Sequence, residues 1–193
     1  MNRSTRILAA LIATGLVAAV SGQATYASFT RTTNNNNDSY AAGSVALADN
    51  DAGLVMWDVS TQLPTSAAIV RCIRVTYTGS LAAGVRLYTT TAASALDPYL
   101  NITIEKGSMP AATVFPNCSG FVAEATIAPT GTLQTFKTAR TGWSNGIPAF
   151  PGAQTAWNTG NSLVYRFTLQ VQSAFAAQGL TGLVGFTWEA QNQ

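Results

Sequence analysis

Few residues of this 193-residue chain could carry out catalysis, because it contains no histidine and only two cysteines. A Ser-His-Asp triad is therefore impossible, and a zinc protease would lack its usual ligands. Two arrangements remain: a serine activated by Lys106 or Lys137, and glycoside hydrolysis by two carboxylates such as Glu124 and Glu189. No motif surrounds any of these side chains, so we predict a protein that is not an enzyme and has no catalytic residue or cofactor.

A second group of polar residues, Asp49, Asn50, Asp51 and Asp58, offers the oxygen ligands that Ca²⁺ prefers. Their spacing does not match an EF-hand loop, and no glutamate closes the run. Asp and Asn also favour tight turns, because their side chains bond to the nearby backbone. The sequence therefore predicts a turn here and no metal site.

Residues 1–27 have the organisation of an export signal, with two arginines, an apolar run over residues 7–20 and then small residues. The run is shorter than the roughly 20 residues of a membrane span. We therefore predict cleavage between Ala27 and Ser28 and a secreted protein, with cleavage after Ala24 or an uncut anchor as alternatives.

Removal of the signal would make the side-chain charge neutral. The whole chain has 10 basic and 8 acidic residues, and the signal carries two of the arginines and no acid. The remaining chain offers no basic patch, so we predict no nucleic-acid partner. A near-neutral surface gives little repulsion between copies and favours their association.

The two cysteines, Cys72 and Cys118, can form a disulfide in an exported protein. Closing a loop of this size would stabilise the fold by about 3–4 kcal/mol in the chain-entropy model. The alternative is a pair of buried free thiols.

The elements that would position these residues are short strands with alternating apolar side chains and turn signals between them. We predict strands at 43–48, 54–59, 70–77, 83–89, 99–105, 121–127, 133–136, 162–171 and 183–189. Two consecutive pairs, 70–77 with 83–89 and 162–171 with 183–189, are predicted to form hairpins. One helical turn is expected near 175–179, and 143–157 is expected to be a long loop. The fold class is therefore an all-β, jelly-roll-like antiparallel β-sandwich over residues 43–193.

Residues 28–42 form a Thr- and Asn-rich arm ahead of the predicted domain. Its notable residues are Phe29, Thr30, Arg31, Thr32, Thr33, a run of four asparagines, and Tyr40. Four asparagines cannot build a core and favour turns over ladders. The arm is therefore either a disordered tail or a strand without a partner in its own subunit.

Trp143 and Trp157 flank a stretch rich in Gly, Pro and Ala. Exposed aromatic rings in loops can stack on sugars, which gives an alternative function: a secreted carbohydrate-binding or adhesive module with extracellular polysaccharide as its partner. The competing interpretation is that both indoles close one end of the sandwich.

Three stretches together resemble the TasA/camelysin family of secreted biofilm-matrix fibre subunits. They are the signal junction ATYASF followed by YAAGSVAL, the strand 70–77 with its Gly-Ser-Leu turn, and the closing pair that ends in FTWEA. The chain departs from the best-known members in having two cysteines. Some relatives carry a protease attribution, which a chain without histidine gives no ligands to support.

The resemblance implies a jelly-roll subunit that polymerises by donor-strand complementation, in which the arm of one subunit completes a sheet of the next. The arm carried over to this chain is residues 28–42. Its partners would be other copies of the chain or related fibre subunits, in an extracellular matrix or at the cell surface.

Overall fold

The computed structural model describes residues 43–57, 67–172 and 174–193, which lie in one compact unit, Ala42–Gln193. The predicted signal peptide, the arm 28–42 and Asp58 lie outside the described residues. The predictions made for them therefore stay predictions.

The described chain contains eight strands. In chain order they are β1 (Leu47–Asp49), β2 (Ile69–Tyr77), β3 (Ala83–Tyr88), β4 (Leu100–Ser108), β5 (Val122–Thr132), β6 (Ile147–Pro148), β7 (Ser162–Val171) and β8 (Thr187–Asn192). The helices are short: α1 (Leu133–Ala139), α2 (Ala174–Ala177) and two 3₁₀ turns (Asp97–Tyr99 and Trp143–Asn145).

The strands form two antiparallel sheets. One has five strands in the order β1-β2-β7-β4-β5, and the other has three in the order β6-β3-β8. Apolar side chains from both sheets meet in a single core cluster. The predicted all-β antiparallel sandwich is therefore confirmed.

Aromatic rings join the two sheets across the core. Phe167 on β7 packs against Phe186, just before β8, with ring centroids 4.4 Å apart. Tyr165 on β7 contacts Trp188 on β8 at 5.3 Å. Tyr165 and Phe167 are both 0% exposed, and burying a large side chain of this kind stabilises a fold by roughly 1.5–3 kcal/mol.

Both predicted hairpins are wrong. β2 pairs with β1 and β7, whereas β3 pairs with β6 and β8 in the other sheet. β7 likewise pairs with β2 and β4, and β8 has no ladder with it. Alternation along a strand shows which face is buried, but it does not identify the neighbouring strand.

Two predicted strands are also wrong. Residues 133–136 begin helix α1, where the Thr132 hydroxyl accepts the Thr135 N–H at 3.0 Å as an N-cap. Leu133 and Phe136, one turn apart, are both buried. The described part of 54–59 is a loop with Trp57 packed on the core.

The predicted disulfide is present, and it fastens the long loop between β4 and β5 to β2. The Cα atoms of Cys72 and Cys118 are 5.2 Å apart, and Cys72 is 0% exposed. Arg74, two residues along β2, donates to the carbonyls of Met109, Pro110 and Ala111 in the same loop. Within the described ranges, the helices are too short or too polar to cross a membrane.

Candidate functional site

The outer side of β8 is a sheet edge without a partner among the described residues. β8 is the last strand of the three-stranded sheet, and its only ladder is with β3. We call the side of Thr187–Asn192 that faces away from β3 the free edge. Unpaired main-chain groups in such an edge are a template for another strand.

Backbone alternation fixes which groups of β8 face the free edge. Gln193 N–H donates to Ala82 O at 3.3 Å, so odd-numbered residues of β8 bond to β3. Trp188, Ala190 and Asn192 therefore point their N–H and C=O groups away from β3. These three residues would form the main-chain bonds to an added strand.

A groove lies between β8 and the five-stranded sheet. It has a volume of about 310 Å³. The apolar lining comes from Leu47 and Val75 on one side and from Phe186 and Trp188 on the other, with Asp49 and Asp51 at the rim. We call this the β8 groove. Side chains of a strand laid along the free edge could enter it, because alternate residues of a strand face the interior of the sandwich.

Several buried polar atoms near this groove have no hydrogen-bond partner among the described residues. Trp188 Nε1, Trp57 Nε1 and the Tyr165 hydroxyl are the three that belong to aromatic rings in the core. Burial raises the pKa of the Tyr165 phenol above its usual range. An unpaired buried donor costs about 1–3 kcal/mol, so a segment that brought a carbonyl to Trp188 would recover part of that cost.

The free edge of β8 is regular. Its register with β3 runs without a shift from Thr187 to Asn192, and no proline interrupts it. Its one charged residue, Glu189, is already engaged. The Gln191 amide and the Tyr88 hydroxyl donate to the Glu189 carboxylate at 2.8 and 2.7 Å, and together they lower its pKa.

The other long edge strand, β5, is irregular where β8 is regular. Its register with β4 shifts at three points, and it contains Pro129. It also places Glu124 3.9 Å from Lys106. Bulges, proline and charge are the features by which sheet edges avoid pairing. β8 is therefore the better acceptor for an added strand.

The two tryptophans predicted as glycan contacts have different environments. Trp157 is 0% exposed, and its Nε1 donates to Ala149 O at 2.6 Å. It closes the sandwich and offers no ring face to a sugar, which corrects the predicted role. Trp143 is half-buried, and the Arg86 guanidinium lies 5.2 Å from its ring centroid, so one face is occupied.

The side chains considered for catalysis are held in structural contacts. Lys106 donates to Phe150 O at 2.6 Å, and Glu124 accepts the Gly152 N–H at 3.3 Å. Lys137 is buried and paired with Asp97 at 2.8 Å. Glu124 and Glu189 lie in different sheets, on β5 and β8.

The acidic run near residue 50 forms the predicted turn. Asp49 accepts the Asp51 N–H at 3.2 Å, and Asp51 accepts the Gly53 N–H at 2.7 Å. Among the described residues, the acidic and sulfur side chains form no group of three or more that could hold a metal ion.

Comparison with models of known protein families gives no match, and none of the curated proteins compared matches the chain.

The sequence alone did not point to the free edge. Phe186 and Trp188 pack against the core. β8 is an edge strand because of the way the strands pair. The residues of β8 alone do not specify that pairing. The regular, proline-free run with a single charge was the available signal.

Proposed function

We propose that the exported, processed chain is a structural subunit of an extracellular matrix or surface fibre. In this proposal the N-terminal arm, residues 28–42, adds as a strand to the free edge of β8 in a second copy or a related subunit. The observation that supports it is the free edge with the β8 groove behind it. Main-chain bonds would supply affinity, and alternate side chains would enter the groove.

The composition of the arm suits this mode of binding. Because an added strand is held mainly by its backbone, it tolerates the run of asparagines. Phe29 and Tyr40 supply aromatic side chains near its two ends. Phe29 and Tyr40 are far apart in the arm, so the register of the added strand determines which of the two rings enters the groove.

The geometry of such a contact leads to a fibre. The arm precedes the domain, and the acceptor edge is the last strand of the same domain. Donor and acceptor are thus different surfaces, so the contact is heterologous and repeats head to tail. The neutral side-chain charge expected after cleavage would allow copies to approach one another.

The test is negative-stain electron microscopy of protein that begins at Ser28, beside a version that begins at Gly43. We expect filaments in the first sample and monomers in the second. A peptide of residues 28–42 should bind the shortened version and change the tryptophan fluorescence, because Trp188 lines the groove. Monomers in both samples would contradict the proposal, and so would filaments in both.

A further inference from the structure

Apart from the free edge, the most unusual feature of the molecule is a buried pair of charged side chains at the far end of the β4–β5 hairpin. Lys137 Nζ lies 2.8 Å from Asp97 Oδ2, and the two side chains are 1% and 0% exposed. Asp97 comes just before β4, and Lys137 lies in α1, just after β5. Burying an ion pair this completely carries a desolvation penalty that can exceed the attraction between the charges.

Ser94 contacts both oxygens of the Asp97 carboxylate. Its hydroxyl donates to Oδ1 at 2.6 Å, and its backbone N–H donates to Oδ2 at 2.6 Å. The ammonium of Lys137 also donates to Ala92 O and Leu183 O. The amine, the carboxyl group and a donor to that carboxyl are thus held together out of bulk water, which is the arrangement that favours an intramolecular reaction.

We propose that Lys137 and Asp97 condense to an intramolecular isopeptide bond. A proton moves along the 2.8 Å hydrogen bond from Nζ to Oδ2, and the neutral amine then attacks Cγ. The Ser94 hydroxyl stabilises the negative charge that develops on Oδ1, which becomes the amide oxygen. A second amine proton goes to Oδ2, the Cγ–Oδ2 bond breaks, and Oδ2 leaves as water. One C–N bond forms, and no oxidant or other reactant is needed.

The surroundings fit both the reaction and its product. Lys137 lines a groove of about 370 Å³ together with Thr89, Thr91 and Thr138, which gives the released water a route out. The product amide is neutral, so two buried charges disappear. Its remaining N–H can donate to Ala92 O or Leu183 O. Because the disulfide already fastens the β4–β5 loop to β2, both ends of this hairpin would then be covalently held.

The test is the mass of the wild-type protein after full denaturation and reduction. We expect it to lie about 18 Da, the mass of one water, below the mass of the unlinked chain. Trypsin should leave peptide 87–106 joined to peptide 107–140, because a linked Lys137 is no longer a cleavage site. The mass of the unlinked chain, together with separate peptides 87–106 and 107–137, would show that the two side chains form only an ion pair. That result would overturn the proposal.

Four variants sharpen the result. Lys137→Met and Asp97→Ala should each show the unshifted mass of their own sequence. Lys106→Arg is the matched control, because Lys106 contacts Phe150 O and Glu124 and not Asp97, and it should keep the mass loss. Ser94→Ala should lower the linked fraction in freshly purified protein, with a slow increase on storage. If Ser94→Ala is fully linked from the start, the role given to Ser94 is wrong.

Discussion

Ala190 on β8 lies directly opposite Val85 on β3, in a pair whose backbone groups point away from each other. Val85 O accepts the Ala149 N–H on the β6 side of β3. Ala190 therefore has its N–H on the free edge, where no described residue bonds to it. A substitution at this position can therefore test the proposed strand addition without removing a hydrogen bond to β3.

Ala190→Pro is expected to leave the folded monomer nearly unchanged and to abolish filament formation. Proline removes an N–H that makes no bond to β3, and its ring occupies the position that an added strand would need. Electron microscopy would count filaments, and thermal melting would check the fold of the monomer.

Thr126→Pro on β5 is the control for that experiment. Thr126 lies opposite Glu105, whose backbone groups point toward β7, so the Thr126 N–H also points away from its only neighbour strand. We expect filaments from this variant. Loss of filaments from Thr126→Pro but not from Ala190→Pro would move the acceptor site to the edge of β5.

The disulfide is expected to stabilise the domain without taking part in assembly. Replacing both Cys72 and Cys118 by alanine should lower the free energy of unfolding by about 4 kcal/mol, the chain-entropy value for a loop of this length. Urea denaturation would measure the loss. The loop remains attached through Arg74, so Arg74→Met in the same background should lower stability further. Equal stability with and without the two cysteines would contradict this.

How far the sequence predicts this molecule depends on what each pattern encodes. The bounds of β7 were predicted correctly as 162–171, because a two-residue alternation over ten residues has no other good interpretation. Helix α1 was predicted as a strand, because Leu133 and Phe136 supply only one turn of helical spacing. The free edge of β8 and the Lys137–Asp97 pair depend on contacts between distant segments, which alternation and turn signals do not specify.

Removing one partner of the Lys137–Asp97 pair should cost far more than removing both charges. Lys137→Met leaves the Asp97 carboxylate buried without its cation, a change that typically destabilises a protein by about 3–5 kcal/mol. Combining it with Asp97→Asn removes the second charge and should recover much of that loss. Urea denaturation of Lys137→Met beside the double variant measures this recovery in two proteins that cannot form the bond proposed between Lys137 and Asp97. A double variant no more stable than Lys137→Met would contradict it.

Tyr165 should make the stability of the domain fall at high pH. Because burial raises its pKa in the folded state, the native protein keeps the phenol proton at pH values where the unfolded chain loses it, above about pH 10. Deprotonation then favours the unfolded state, so stability is intact below pH 10 and falls above it by up to about 1.4 kcal/mol per pH unit. Tyr165→Phe removes this dependence together with an unpaired buried hydroxyl, and should be equally or slightly more stable at pH 7. Urea denaturation of both proteins at pH 7, 9 and 10.5 tests this, and parallel pH profiles would show that the phenol ionises normally in the native state.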